Sequence, residues 1–198
     1  MTEPARKRPK TARGEATREA ILRAAETVVG ARGFNEAAIS EITREAGVGQ
    51  GTFYIYFPSK EAVFRELLLE MGRLTRHTLS EAAAAAPDRI AAERAGLAAF
   101  LEFVARRPAL YRIVEEAQFV DQEAYRAYFQ SFADNYQQAL EQAAMSGEIR
   151  PGDSEVRAWA LMGMAKELGE RYALWGSDRP LGEVADAAFD LIEHGLKP

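Results

Sequence analysis

Apolar residues recur at helical spacing along almost the whole chain, and no stretch alternates as a strand would. The first periodic run sets Ile21, Ala25, Val28 and Val29 on one face, with Arg18, Glu19, Arg23 and Glu26 turned away. Thr17 is its expected N-cap and Gly33 its stop, after which Phe34 plugs a small core. A short second helix buries Ile39, Ile42 and Ala46 and leaves Ser40, Thr43 and Arg44 on other faces. Gly47 suits the left-handed position that ends this helix, and Val48 anchors the turn. A third helix, 49–56, points Phe53 and Phe57 inward and leaves Gln50, Thr52, Tyr54 and Tyr56 outward. Pro58 stops it, and Ser59 caps a fourth helix with Lys60 in its first turn.

The periodicity continues as a helix over 61–79, with Val63, Phe64, Leu67, Leu68, Met71 and Leu74 on its apolar side. An alanine run, 82–86, closed by Pro87, reads as a join between helices. Further helices are expected over 88–107, 109–118, 121–146, 153–175 and 181–194, which makes roughly nine in an all-α chain. Residues 1–15 carry Pro4, Pro9, Gly14 and five basic side chains without apolar periodicity. They read as a flexible basic arm whose Arg6 to Arg13 segment could follow DNA phosphates or enter the minor groove.

Composition narrows the classes. Apolar content of 47% is too high for a disordered chain, and the absence of cysteine excludes disulfides, thiolate metal sites and thiol nucleophiles. No apolar run reaches membrane-spanning length and the basic N-terminus lacks a following apolar stretch, so a cytoplasmic protein is expected. The net charge of −5 is unevenly spread: residues 1–60 carry 10 Lys/Arg against 7 Asp/Glu, and the remainder 15 against 23. Basic charge gathered at one end lets an acidic chain dock on DNA.

Two short helices joined by a glycine turn, then an aromatic cluster and a new helix, form the layout of a helix-turn-helix, which places a helix in the DNA major groove. Gln50 is the expected base reader, with Ser40 and Thr43 beside it, and its amide can meet adenine bidentately. Gly51 lets the helix start approach the duplex closely. Thr52, Tyr54, Tyr56 and Lys60 suit phosphates; for Lys60 a phosphate would explain a cation where the helix dipole favours acids. Gly47, Gly49 and Gly51 do not form a nucleotide loop, because no strand precedes them and the spacing fails. His77 and His194 read as surface residues outside any metal-ligand pattern, and no cofactor is implied. There is no nucleophile–base constellation, so the chain does not read as an enzyme.

Residues 17–64 resemble the DNA-binding domain of the TetR/AcrR family of bacterial transcription regulators. The likeness rests on Gly33-Phe34, Ile42, Ala46-Gly47-Val48, Gly51-Thr52-Phe53-Tyr54, Tyr56-Phe57 and Ser59-Lys60-Glu61 in order. Beyond them only helix pattern and length match. Ala37 and Ala38 stand where the family often has Thr or Ser, Gly49 replaces the usual Ser that opens the third helix, and Gln50 a frequent Lys. The resemblance implies a homodimer on a palindromic operator, its last two helices in a four-helix bundle, with a small molecule in the C-terminal domain weakening DNA binding.

The implied organisation is an arm (1–15), an N-terminal three-helix DNA-binding domain with the helix-turn-helix (16–62), and a C-terminal helical ligand-binding and dimerisation domain (63–198). Phe100, Phe103, Tyr111, Phe119, Tyr125, Tyr128, Phe129, Trp159 and Met162 are the expected lining of an effector pocket, and long apolar walls suit a small hydrophobic, acyl-type ligand. The stretch 158–165 is apolar nearly all round and needs burial on more than one side. With Val184, Ala187, Ala188, Leu191 and Ile192 it forms the expected dimer surface. The chain therefore reads as a dimeric regulator of double-stranded DNA, a repressor released by its effector; an activator, or a DNA-binding dimer with no effector, would carry the same sequence features.

Overall fold

The structure, a computed structural model, describes residues 11–194. Among these, nine α-helices follow one another without a strand: α1 (Ala12–Arg32), α2 (Ile39–Glu45), α3 (Gln50–Tyr56), α4 (Lys60–Ala84), α5 (Arg89–Arg106), α6 (Pro108–Val120), α7 (Gln122–Ser146), α8 (Ser154–Leu168) and α9 (Leu181–His194). A π-helical turn, Gly169–Leu174, prolongs α8.

Short polar side chains set most of the starts. Thr11, Ser59, Asp88, Asp121 and Asp153 each accept the N–H three residues on, at 2.8–3.2 Å, a device that stabilises a helix by about 1 kcal/mol. Thr11 therefore starts α1 well before the expected Thr17, whose hydroxyl instead donates back to the Arg13 carbonyl at 2.9 Å inside the helix. Of the expected arm, residues 1–10 lie outside the described residues, and residues from Ala12 onward belong to α1. The alanine run does not break α4, which continues to Ala84 because alanine is the best helix former. Pro108 opens α6 at a position where its missing N–H costs nothing. The single helix expected over 153–175 widens at Gly169, where an added methyl would sit 3.2 Å from Phe100.

Two cores hold the bundle. The larger runs unbroken from Ile21, Ala25, Ile42, Phe53 and Phe57 into Phe64, Leu67 and Met71 of α4 and Ile113 and Ala117 of α6. The three N-terminal helices therefore have no separate core; they are seated on α4 and α6. The smaller core joins Leu97 and Leu101 of α5 to Val184 and Ala185 of α9. Val184 thus belongs to the interior of this chain and not to an outer dimer surface, because α9 packs on α5 through that face. Ile192 likewise turns toward the internal cavity described below, whereas Ala187 and Leu191 are exposed.

Candidate functional site

The α2–α3 turn is built by backbone bonds. Gly47, at φ +66°, lets its N–H reach Arg44 O (3.2 Å) while the Val48 N–H reaches Thr43 O (3.0 Å), the paired closure of a Schellman motif. Phe53 and Phe57 are fully buried beneath α3. Gln50, Gly51 and Tyr54 face outward, with Ser40 exposed on α2. Thr52 and Tyr56 are half-buried, and the Tyr56 ring packs against the main core.

Two expected contact residues are engaged elsewhere. Thr43 is only 4% exposed and its hydroxyl donates to Ser40 O at 3.1 Å, so it lies beneath the outer face. Lys60 turns inward: its Nζ donates to Phe34 O (2.6 Å), Ala37 O (2.9 Å) and Asn35 O (3.2 Å) and stands 4.4 Å from the Phe34 ring centre. The cation is explained by carbonyls of the α1–α2 loop, which no feature of the local sequence links to Lys60. Arg44 is exposed beyond its contact with Glu41, on the outward side where periodicity placed it, whereas sequence patterning missed Ile55, 78% exposed, an apolar group able to meet a thymine methyl. At the α2 start, with Ala38 in the cap position, Glu41 accepts the Ala38 N–H at 3.4 Å in place of a hydroxyl cap.

The three helices are clamped to α6. Glu116 Oε2 accepts the Phe34 N–H at 2.7 Å across 82 residues of sequence. Gly33, at φ +81°, makes room for that carboxylate, since a Cβ there would lie 2.6 Å from Glu116 Oε1. At the other end Gly30 packs so closely on Ala109 that any side chain would overlap it. Arg65 pairs with Asp121 at 2.6 Å, binding α4 to the α6–α7 junction.

A cavity of about 430 Å³ lies in the C-terminal bundle, within the range of small-molecule sites. Phe100, Tyr111, Tyr128, Phe129 and Met162 line it as expected. Tyr125 and Trp159 line a smaller neighbouring space of about 310 Å³, which shares Phe129, Met162 and Lys166 with the first. Two expected residues do not reach either: Phe103 packs against the main core, and Phe119 is 84% exposed on the outer side of α6. The wall also carries polar residues that helical periodicity does not assign to it, among them Thr75, Arg76, Arg89, Glu93, Glu115, Tyr136 and Lys166. Arg89 and Glu93 have the spacing of an ordinary surface pair, and only the packing of α7 encloses them.

Within this lining, Lys166 pairs with Glu115 at 3.2 Å, and Tyr111 donates its hydroxyl to Lys166 O at 3.1 Å. Burial acts against the Lys166 charge, but Glu115 and then Glu167 hold its pKa above the usual lysine value. Burial pushes Tyr128 up to about 12, and burial reinforced by Glu115 or Glu93 raises Tyr111 and Tyr136 further. All three phenols are therefore neutral hydrogen-bond donors at physiological pH. His77 and His194 are exposed beside Glu81 and Asp190, away from the cavity.

Residues 21–67 match the model of the bacterial regulatory proteins of the tetR family. The chain is 29% identical over 191 residues to the uncharacterized HTH-type transcriptional regulator YdgC of Bacillus subtilis, covering 94% of this chain and 95% of that protein. Among solved structures it resembles the transcriptional regulator FadR of Bacillus subtilis in complex with stearoyl-CoA (TM-score 0.77, 20% identity, 90% of this chain and 99% of that one). It also resembles AibR in complex with isovaleryl coenzyme A and operator DNA (TM-score 0.72, 20% identity, 88% and 97%). At such identities the structural likeness establishes the fold. Among the described residues, no helix is long and apolar enough to cross a membrane.

Proposed function

We propose that this chain, matched by the tetR-family model over residues 21–67 and similar along nearly its whole length to an HTH-type transcriptional regulator, is a TetR-type DNA-binding repressor that binds a palindromic operator as a dimer and is released by a small hydrophobic effector of acyl type. Gln50 with Ser40 reads bases; Gly51, Thr52, Tyr54 and Tyr56 position α3 against the phosphates. Support for the ligand class comes from the apolar cavity and from FadR and AibR, whose structures hold acyl-CoA molecules. The outward faces of α8 (Val156, Trp159, Ala160, Gly163) and α9 (Ala187, Leu191) support dimerisation, since these apolar or small residues are exposed in the single chain.

The observation that carries the reading is the double engagement of α6. Glu115 lines the cavity while its neighbour Glu116 grips Phe34 of the reader. A ligand that favours one position of α6 thereby favours one setting of α3, which is a population shift between DNA-competent and released states. The two α3 helices of a dimer must span one helical turn, about 34–36 Å, to enter successive major grooves.

The test is selection of genomic fragments by the purified protein, followed by titration of the recovered complex with acyl-CoA thioesters. Enrichment of a single palindrome, and its loss on adding thioester, is the expected outcome. Recovery of a palindrome that no thioester displaces would leave the DNA reader standing and remove the acyl effector.

A further inference from the structure

The cavity wall is largely apolar but carries polar groups at one end. Four buried side-chain atoms in the described residues lack an aligned hydrogen-bond partner, and all four are on its wall: Thr75 Oγ1, Arg89 Nε, Glu93 Oε1 and Glu115 Oε1. Thr75 is 3% exposed and its side chain interacts with the Tyr128 phenol. Polar side chains enclosed together on one wall of a cavity favour an occupant that carries a matching polar group.

The densest group is at the end of the cavity where α5 begins. Glu93 accepts the Tyr136 hydroxyl through Oε2, and its Oε1 is ion-paired with Arg89 Nη2 without hydrogen-bond alignment. The guanidinium lies 5.4 Å from the Tyr136 ring centre and also engages the Tyr136 hydroxyl. Arg89, Glu93 and Tyr136 therefore gather donors and acceptors side by side on this end of the wall. Arg89 and Glu93 already cancel in charge: an incoming carboxylate would meet Glu93 and an incoming ammonium would meet Arg89, each partly shielded from bulk water. A neutral group that both donates and accepts fits without either conflict.

Along α5, Glu93 and Phe100 are seven residues apart, roughly 10 Å of helix, and the wall between them is apolar. Building on the acyl-effector reading above, we infer that the effector's apolar chain ends in, or carries, a neutral hydroxyl or amide group seated between Arg89, Glu93 and Tyr136. A plain saturated tail is then a poorer ligand, because it sets methylene groups against the polar end formed by Arg89, Glu93 and Tyr136.

The experiment is calorimetric titration of the full chain with two series of acyl-CoA thioesters of graded length, one saturated and one with a terminal hydroxyl; the shared thioester end cancels in the comparison. At the matching length the hydroxyl-ended chain should bind about tenfold more tightly, the equivalent of one well-placed buried hydrogen bond. A terminal carboxylate at that length should bind more weakly than the saturated chain. Replacing both partners, Arg89→Leu with Glu93→Leu, removes the ion pair without stranding either charge, and should abolish or invert the preference. The single variant Glu93→Gln, which retains an acceptor, should keep part of it. Equal binding of both series at every length overturns this inference and leaves the acyl-effector reading in place. Binding of neither series overturns that reading and this inference with it.

Discussion

Lys60→Met separates two accounts of one residue. A lysine opening a helix beside a DNA-reading unit suits a phosphate contact, but here its ammonium donates to three carbonyls of the α1–α2 loop and rests on Phe34. Methionine preserves most of the stem and removes every polar contact. Phe34 O and Ala37 O are then left without this donor in a part-buried loop. Hydrogen bonds to a charged donor contribute about 1.5–3 kcal/mol each, and three that share one ammonium do not add fully. With the lost cation–π contact, about 2–4 kcal/mol of stability should go. For a chain of this length that lowers the melting temperature by roughly 5–15 °C. The assay is thermal unfolding by circular dichroism, paired with operator binding across a salt series. Stability should fall while the slope of log affinity against log salt stays unchanged, since no phosphate partner is removed. An unchanged melting temperature with a slope smaller by about one would refute the internal role and restore the phosphate contact.

Gly33→Ala should destabilise the seating of the reader, because alanine at φ +81° is strained and its Cβ would lie 2.6 Å from Glu116 Oε1; a loss of about 1–3 kcal/mol is expected in urea unfolding. Gln50→Ala should weaken operator binding by about 1–3 kcal/mol and relax preference at one base pair per half-site, read by competition among single-base operator variants. In a titration followed at the phenolate absorbance, Tyr128 should remain protonated until about pH 12, with Tyr111 and Tyr136 also late. Raised folded-state values favour the neutral phenols, so this contribution to stability is complete below the unfolded tyrosine value near 10 and declines as pH rises from there toward 12. Urea midpoints between pH 9 and 11 check that sign.

The reader was legible because its signals are local. Gly47, Val48, Phe53, Phe57, Pro58 and Ser59 act within a few residues of themselves, through dihedral preference, periodic burial and capping. Where the reading erred, a distant partner intervened. Lys60 found carbonyls more than twenty residues away, and Phe119 lay on the outer side of a helix whose orientation α1, α4 and α7 decide. Val184 met Leu97 and Leu101 across the bundle, so half of the periodic stripe of α9 serves this chain's interior.

Sequence alone determined the all-helical architecture, the helix-turn-helix and the outward Gln50 and Tyr54, because helical periodicity and turn chemistry are properties of short segments. Tertiary structure alone decided that the reader shares its core with α4 and α6, that Glu116 holds Phe34 while Glu115 lines the cavity, and that Arg89, Glu93 and Tyr136 are enclosed together. Each of these depends on which helix faces meet, and adjacent residues on one helix can be sent to different neighbours by a rotation that no short window of sequence encodes.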